Sequence, residues 1–173
     1  MENDRGVEVS MGGEPVVLIG NRVRVGDKAP DFIVTDSNLS SVTFSSMNNE
    51  PHLISSVVSL DTPVCDTQAK RFNEEAADLI PSLSILVISM DLPFAQQRWC
   101  GRENVDQVDT YSDHRDASFG TAYGVLIKNK RLLARSVFLV DNELTVRYKE
   151  IVKEITDEPD YDKLYDAMKS ISE

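Results

Sequence analysis

The sequence is poor in the residues that build metal sites and covalent scaffolds. Its 173 residues include two cysteines, Cys65 and Cys100, and two histidines, His52 and His114. Two thiols are too few for a disulfide framework, and two histidines with no cysteine beside them make no zinc pattern. Positive charge is scarce as well: 18 lysines and arginines stand against 29 aspartates and glutamates, a formal charge of −11. No basic cluster forms a stripe for phosphates, so nucleic acid is not an expected partner. Long apolar runs are missing. The opening MENDRGVEVSMGGEP carries charge where a signal peptide needs an apolar core, and no later stretch approaches the roughly 20 residues of a membrane span. A cytoplasmic protein with no membrane contact is the expectation. Linker-like tracts, repeats and low-complexity segments are also lacking, and 41% hydrophobic content over 1–173 suits one globular domain with a substantial core.

What is present centres on residues 59–80, SLDTPVCDTQAKRFNEEAADLI, where a turn, a helix start and a thiol coincide. Thr62 before Pro63 predicts a helix N-cap with proline in the first helical position, where its missing N–H and fixed φ cost nothing. Cys65 then falls in the first helical turn, whose unpaired N–H groups and partial positive charge favour a thiolate. Cys65, Ala69, Phe72, Ala76 and Leu79 form an apolar stripe at helical spacing, while Lys70, Arg71, Glu74, Glu75 and Asp78 face water. The thiol is expected in a crevice where this helix meets the core.

Around that helix the chain alternates β-prone and helical patterns. Residues 1–20 are expected to hold a β-hairpin extension, with two β-prone runs flanking Gly12 and Gly13, as an appendage ahead of the main fold. Residues 32–34 and 42–44 predict a second short hairpin. HLISSVVS at 52–59 and SILVISM at 84–90 have the unalternating composition of strands covered on both faces. The helix between them makes them parallel neighbours with a right-handed crossover. Pro93 opens a short helix that Gly101 is expected to end, with Cys100 at its C-terminal end. DQVDTYSD predicts a further strand and ASFGTAYGV a short helix stopped by Gly124. RLLARSVFLVDNELTVRYKEIV predicts an antiparallel hairpin turning at Asp141 and Asn142, and Pro159 precedes a last helix with Tyr161, Leu164, Tyr165, Met168 and Ile171 on its apolar face. This order is the thioredoxin arrangement: an α/β, thioredoxin-like fold with a mixed central sheet flanked by helices.

The stretches DTPVCDTQAKRFNEEAADL, SMDLPFAQQRWCG, SFGTAYGV, LLARSVFLVD and EITDEPDYDKL together resemble the thiol peroxidase subfamily of the peroxiredoxins, the atypical two-cysteine type. The likeness runs from about residue 26 to the C-terminus. It implies an enzyme in antioxidant defence that reduces hydrogen peroxide and organic hydroperoxides through a cysteine sulfenic acid and an intramolecular disulfide reopened by thioredoxin. By the same resemblance Cys65 is the peroxidatic nucleophile and Cys100 the resolving thiol. Thr62 matches the threonine of the TxxC motif, and Arg135 falls where the family places an arginine beside the thiolate. No cofactor is implied, and a homodimer is. The wider family motif has a proline seven positions before the cysteine; this chain has Val58 there.

Thiolate attack on a peroxide needs a deprotonated sulfur, donors that hold both oxygens in line, and stabilisation of the departing oxygen. The helix start and Arg135 answer the first need, and the Thr62 hydroxyl with the N–H groups near Val64 and Cys65 the others. Plainer readings stand beside these. A lone cysteine is most often a small buried hydrophobe, Thr62 an ordinary N-cap, and Arg135 a strand arginine with its head in solvent. Trp99 reads as a packing residue beside Cys100, and Arg115 as a solvated charge or a pocket-rim group. Two other functions compete: a thiol-disulfide oxidoreductase, disfavoured because Gln68 occupies the second position of a CxxC motif, and a non-catalytic binding module with both thiols buried.

Overall fold

In the computed structural model, which describes residues 4–47 and 49–172, the chain opens with β1 (Asp4–Met11) and β2 (Glu14–Ile19), paired antiparallel. Their turn falls on Gly12 and Gly13, with φ of 60° and 84°, the left-handed conformation that a tight hairpin requires of both central residues. β3 (Ile33–Thr35) and β4 (Ser41–Thr43) make the second hairpin, followed by a 3₁₀ turn over Phe44–Ser46. The apolar run after it forms β5 (His52–Ser56), which ends before Val57 because the chain must turn toward the helix. The helical run begins as α1 (Pro63–Arg71), widens into a π-helical turn over Phe72–Ala76 and closes as α2 (Ala77–Leu79).

The remaining elements are β6 (Ser84–Ser89), α3 (Pro93–Glu103), β7 (Val108–Ser112), α4 (Ser118–Tyr123), β8 (Leu126–Ile127), β9 (Leu132–Leu133), β10 (Ser136–Val140), β11 (Val146–Ile151) and α5 (Tyr161–Ser172). Seven strands form a mixed sheet in the order β11-β10-β5-β6-β7-β3-β4, with β5, β6 and β7 parallel and the other pairs antiparallel. The thioredoxin-like architecture is therefore present. Alternation along the central strands divides the core in two. Ile54, Leu86, Ile88, Phe138 and Val140 face one layer with Phe119 and Tyr123 of α4. Leu53, Ile85, Val87, Val137 and Leu139 face the other, which holds Cys65 and Ala69 from α1, Phe72 from the π-helical turn, and Trp99, Leu164 and Met168 from α3 and α5.

Two features depart from the sequence-based expectations. The N-terminal hairpin is no appendage: β2 pairs with β8, giving a second sheet in the order β1-β2-β8-β9, and Val9, Val16, Leu18 and Ile19 are buried in the first core layer. Strands of two residues leave too little periodicity to announce this sheet. Gly101 does not end α3 either. The helix continues to Glu103, and Asn104, at φ 54°, takes the left-handed cap and donates its N–H to the Cys100 carbonyl. Cys100 thus sits in the last turn of an intact helix.

Candidate active site

Thr62 is the N-cap of α1 and Pro63 its first residue, which places Cys65 in the first turn as the motif requires. The ladder closes first at the Asp66 N–H, 3.0 Å from the Thr62 carbonyl, so geometry leaves the amides of Val64 and Cys65 without a partner one turn earlier in the helix. Arg135 reaches this turn from the junction where the chain leaves β9 in the small sheet and enters β10 in the large one. Its backbone is pinned there: the Val152 N–H donates to the Arg135 carbonyl at 3.0 Å, and the neighbouring Ala134 carbonyl accepts from Ser56 Oγ at 2.7 Å.

The Arg135 side chain is buried, 2% exposed, and Cys65 is wholly buried. The guanidinium donates Nε to the Ile155 carbonyl at 2.8 Å, Nη1 to Gln68 Oε1 at 2.7 Å and Nη2 to Cys65 Sγ at 3.1 Å. Gln68 in turn donates Nε2 to Ser55 Oγ, which fixes its oxygen toward the arginine. A buried cation needs a compensating anion, and among the described residues no carboxylate pairs with Arg135. Of its three acceptors, a carbonyl and an amide oxygen stay neutral. The Cys65 sulfur is the one that can carry negative charge.

Arg135 is therefore inside the fold and not a solvent-facing arginine at a sheet edge. Thr62 behaves differently from a capping residue: its Oγ1 donates to the Ser59 carbonyl at 2.8 Å and makes no side-chain bond to a helix amide. Its lone pairs remain available to accept a hydrogen bond. Cys65 itself is wholly buried, and at the helix start a cleft of about 350 Å³ is walled by Pro63, Val64 and Thr67 on one side and Thr156, Asp157 and Glu158 on the other. Val58 is half-buried and packs against both core layers, filling the position of the family's proline with an apolar side chain.

Both cysteines are free thiols with separate neighbours. Cys100 Sγ lies 3.7 Å from Thr110 Oγ1 and lines a cleft with Asp36, Gln97 and Asp109. Burial pushes its thiol up, the Thr110 contact opposes this, and Asp109 adds to it. Trp99 does more than pack: its Nε1 donates to Asp66 Oδ1 at 2.7 Å, tying α3 to the first turns of α1. Arg115 is exposed in the loop after β7. Gln68 and the Ile155 carbonyl were not anticipated as site groups. The first was noticed only as the residue standing where a CxxC motif has its second cysteine, and the second is backbone, which no motif reveals. Among the described residues no group of three or more His, Cys, Asp or Glu side chains could hold a metal, and no helix is long and apolar enough to cross a membrane.

A thioredoxin-type sheet that presents a buried cysteine in the first turn of a helix, an arginine on its sulfur and no cysteine three residues later defines a thiol-based peroxidase rather than a CxxC oxidoreductase. Residues 24–165 match the family model described as Redoxin, and the chain belongs to that family, in its thiol peroxidase branch. It is 50% identical over 164 residues to the thiol peroxidase of Bacillus subtilis strain 168, covering 95% of this chain and 98% of that one. Its structure matches a peroxiredoxin-like protein from Aquifex aeolicus with a TM-score of 0.88 at 40% identity, over 98% of this chain and 99% of that one. A thiol peroxidase from Chromobacterium violaceum matches with a TM-score of 0.85 at 25% identity, over 94% and 95%. The enzyme is a peroxidase of the peroxiredoxin type.

Proposed function

We propose that the enzyme reduces hydrogen peroxide and organic hydroperoxides with Cys65 as nucleophile and Cys100 as resolving thiol, and that thioredoxin regenerates it in the cytoplasm. The observation that carries this reading is the 3.1 Å bond from a buried, otherwise uncompensated Arg135 to Cys65 Sγ. The Cys65 thiolate attacks the distal peroxide oxygen as the O–O bond breaks. The bonding pair departs with the proximal oxygen, which takes up a proton to leave as water or alcohol. Arg135 and the amides at the start of α1 stabilise the charge that moves between sulfur and oxygens, while the Thr62 hydroxyl accepts the peroxide O–H. The peroxide enters through the cleft over Pro63, Val64 and Thr67. Cys65 is left as sulfenic acid, one step up the oxidation ladder. The Cys100 thiolate then attacks the Cys65 sulfur, hydroxide leaves and is protonated to water, and the disulfide that results accepts two electrons and two protons from the two thiols of thioredoxin. By likeness to the family the working unit is a homodimer.

Mass spectrometry after one equivalent of hydrogen peroxide tests the assignment. Cys65→Ser should remain unoxidised, and Cys100→Ser should gain oxygen at Cys65 in a single turnover. A Cys100→Ser protein with unmodified Cys65 would sink it.

A further inference from the structure

Glu154 lies outside the cluster around Cys65, yet its carboxylate gathers five donors from two distant parts of the chain. Oε1 accepts from the Gly13 N–H at 2.7 Å and Ser10 Oγ at 3.2 Å. Oε2 accepts from the Gly12 N–H at 3.2 Å, the Thr156 N–H at 3.0 Å and Thr156 Oγ1 at 2.9 Å. The positive φ of both glycines turns successive amides toward one anion. The backbone beside Glu154 is bonded to the same strand: the Ser10 N–H donates to the Lys153 carbonyl at 2.7 Å, and the Ile155 N–H donates to the Ser10 carbonyl at 2.8 Å. Ile155 is thus held through its amide by the hairpin, and its carbonyl is the acceptor of Arg135 Nε.

We propose that Glu154 is a positioning residue for peroxide reduction: by clamping the hairpin turn to residues 153–156 it fixes the Ile155 carbonyl, and with it the direction in which Arg135 presents Nη2 to Cys65. This rests on the assignment of Cys65 and Arg135 made above. The guanidinium is a rigid planar fork, so holding Nε and Nη1 determines where Nη2 points. Without the carboxylate Ile155 keeps its backbone bond to Ser10 but loses the clamp on either side of it, so its carbonyl is held less firmly, Gln68 becomes the firmer hold on that angle, and the fork turns about it. The clamp is separable from the fold. The hairpin is anchored independently by β2–β8 pairing, by four buried apolar side chains, and by Arg5 Nη1 on the Gly124 carbonyl at 2.7 Å.

The test is a double-mutant cycle on the rate of hydrogen peroxide reduction by the reduced full chain. Glu154→Ala should slow the reaction about tenfold, since a misplacement near 1 Å can cost up to about a hundredfold. In an Arg135→Ala background the same change should have no further effect. Glu154→Gln, which keeps an oxygen acceptor at the same reach, should recover most of the rate. A purely structural role would slow both backgrounds equally, and that result would overturn the proposal, as would a Glu154→Ala enzyme at the wild-type rate beside a slow Arg135→Ala. An Arg135→Ala enzyme at the wild-type rate would instead overturn the assignment of Arg135, and the relay with it. The side-chain Nε–H resonance of Arg135 gives a second readout: it should be sharp in the wild type and exchange-broadened in Glu154→Ala, and an unchanged resonance would overturn the relay.

Discussion

At the scale of single residues, the site depends on one cation whose partners are all short and directional. Arg135 spans the Ile155 carbonyl, Gln68 Oε1 and Cys65 Sγ from three nitrogens. A lysine has one nitrogen and no planar fork, so it cannot reach all three. Arg135→Lys should therefore keep the charge and still lose roughly a hundredfold or more in the rate of peroxide reduction, as removal of an aimed donor does. A rate within about threefold of wild type would show that charge alone suffices. Gln68→Leu removes the second hold on the guanidinium and leaves Ser55 Oγ without its donor; it should slow the reaction by about tenfold in pre-steady-state assays. The placement of Cys65 in the first turn of a helix was readable because TPVC writes a cap, a helix start and a thiol in four consecutive letters, while its role as nucleophile came from likeness to the family. Arg135 came from likeness to the family, since an arginine amid apolar letters reads equally well as solvent-facing. Gln68 and Ile155 were not readable at all: one contributes by orientation and the other by its carbonyl, and their partners lie 67 and 20 positions away.

At the scale of elements, the two thiols sit on separate helices, and the disulfide proposed between them calls for both helix turns to loosen. A disulfide needs its Cα atoms within about 7 Å, whereas each sulfur here has its own neighbour. The helices are clasped together by Trp99 Nε1 on Asp66 and by Lys70, whose Nζ lies 3.0 Å from Asp66 Oδ2 and 2.7 Å from Glu103 Oε2. The lysine pairs are partly exposed and contribute little, while the tryptophan bond to a carboxylate is worth about 1.5–3 kcal/mol. Trp99→Phe should accordingly destabilise the reduced protein modestly and speed disulfide closure several-fold after peroxide treatment. Slower closure would mean that the clasp guides the thiols together. Hydrogen exchange over residues 62–68 and 95–103 should be slower in the reduced form than in the disulfide form, because both helices are fully formed with free thiols. Strands and helices with long apolar patterns were legible in the sequence. The π-helical turn was not, since Phe72–Ala76 carries neither proline nor glycine, and the two-residue strands β8 and β9 were too short to show a period.

At the scale of the whole molecule, the chain passes from one sheet to the other at Arg135, and a separate contact, Glu154 on the turn of the N-terminal hairpin, titrates in acid. The Thr156 and Gly13 amides hold the Glu154 carboxyl at about 2, against an ordinary 4.5. A depressed carboxylate contributes stability that is fully present above 4.5 and is lost as the pH falls toward 2. Asp4, Glu103, Asp141 and Asp160 are lowered too, so their contributions fade over the same acid range. Two buried groups act at higher pH and in opposite senses. Burial raises Asp113 from 3.8 to about 6 against the Gly120 and Phe119 amides, so the folded state holds that proton more readily and stability falls as pH rises through this window. Burial lowers His52 below 6.5, so the folded state releases that proton more readily and stability rises as pH approaches 6.5. Their slopes have opposite signs. Urea unfolding of the reduced protein should show a plateau above about pH 6.5 and a steep decline below about pH 4.5, where the depressed carboxylates protonate. Glu154→Gln, which cannot gain from ionisation, should start lower on the plateau, decline less steeply below pH 4.5 and converge with the wild type near pH 2. Parallel wild-type and variant curves across that range would mean that the clamp between the sheets contributes nothing through its charge.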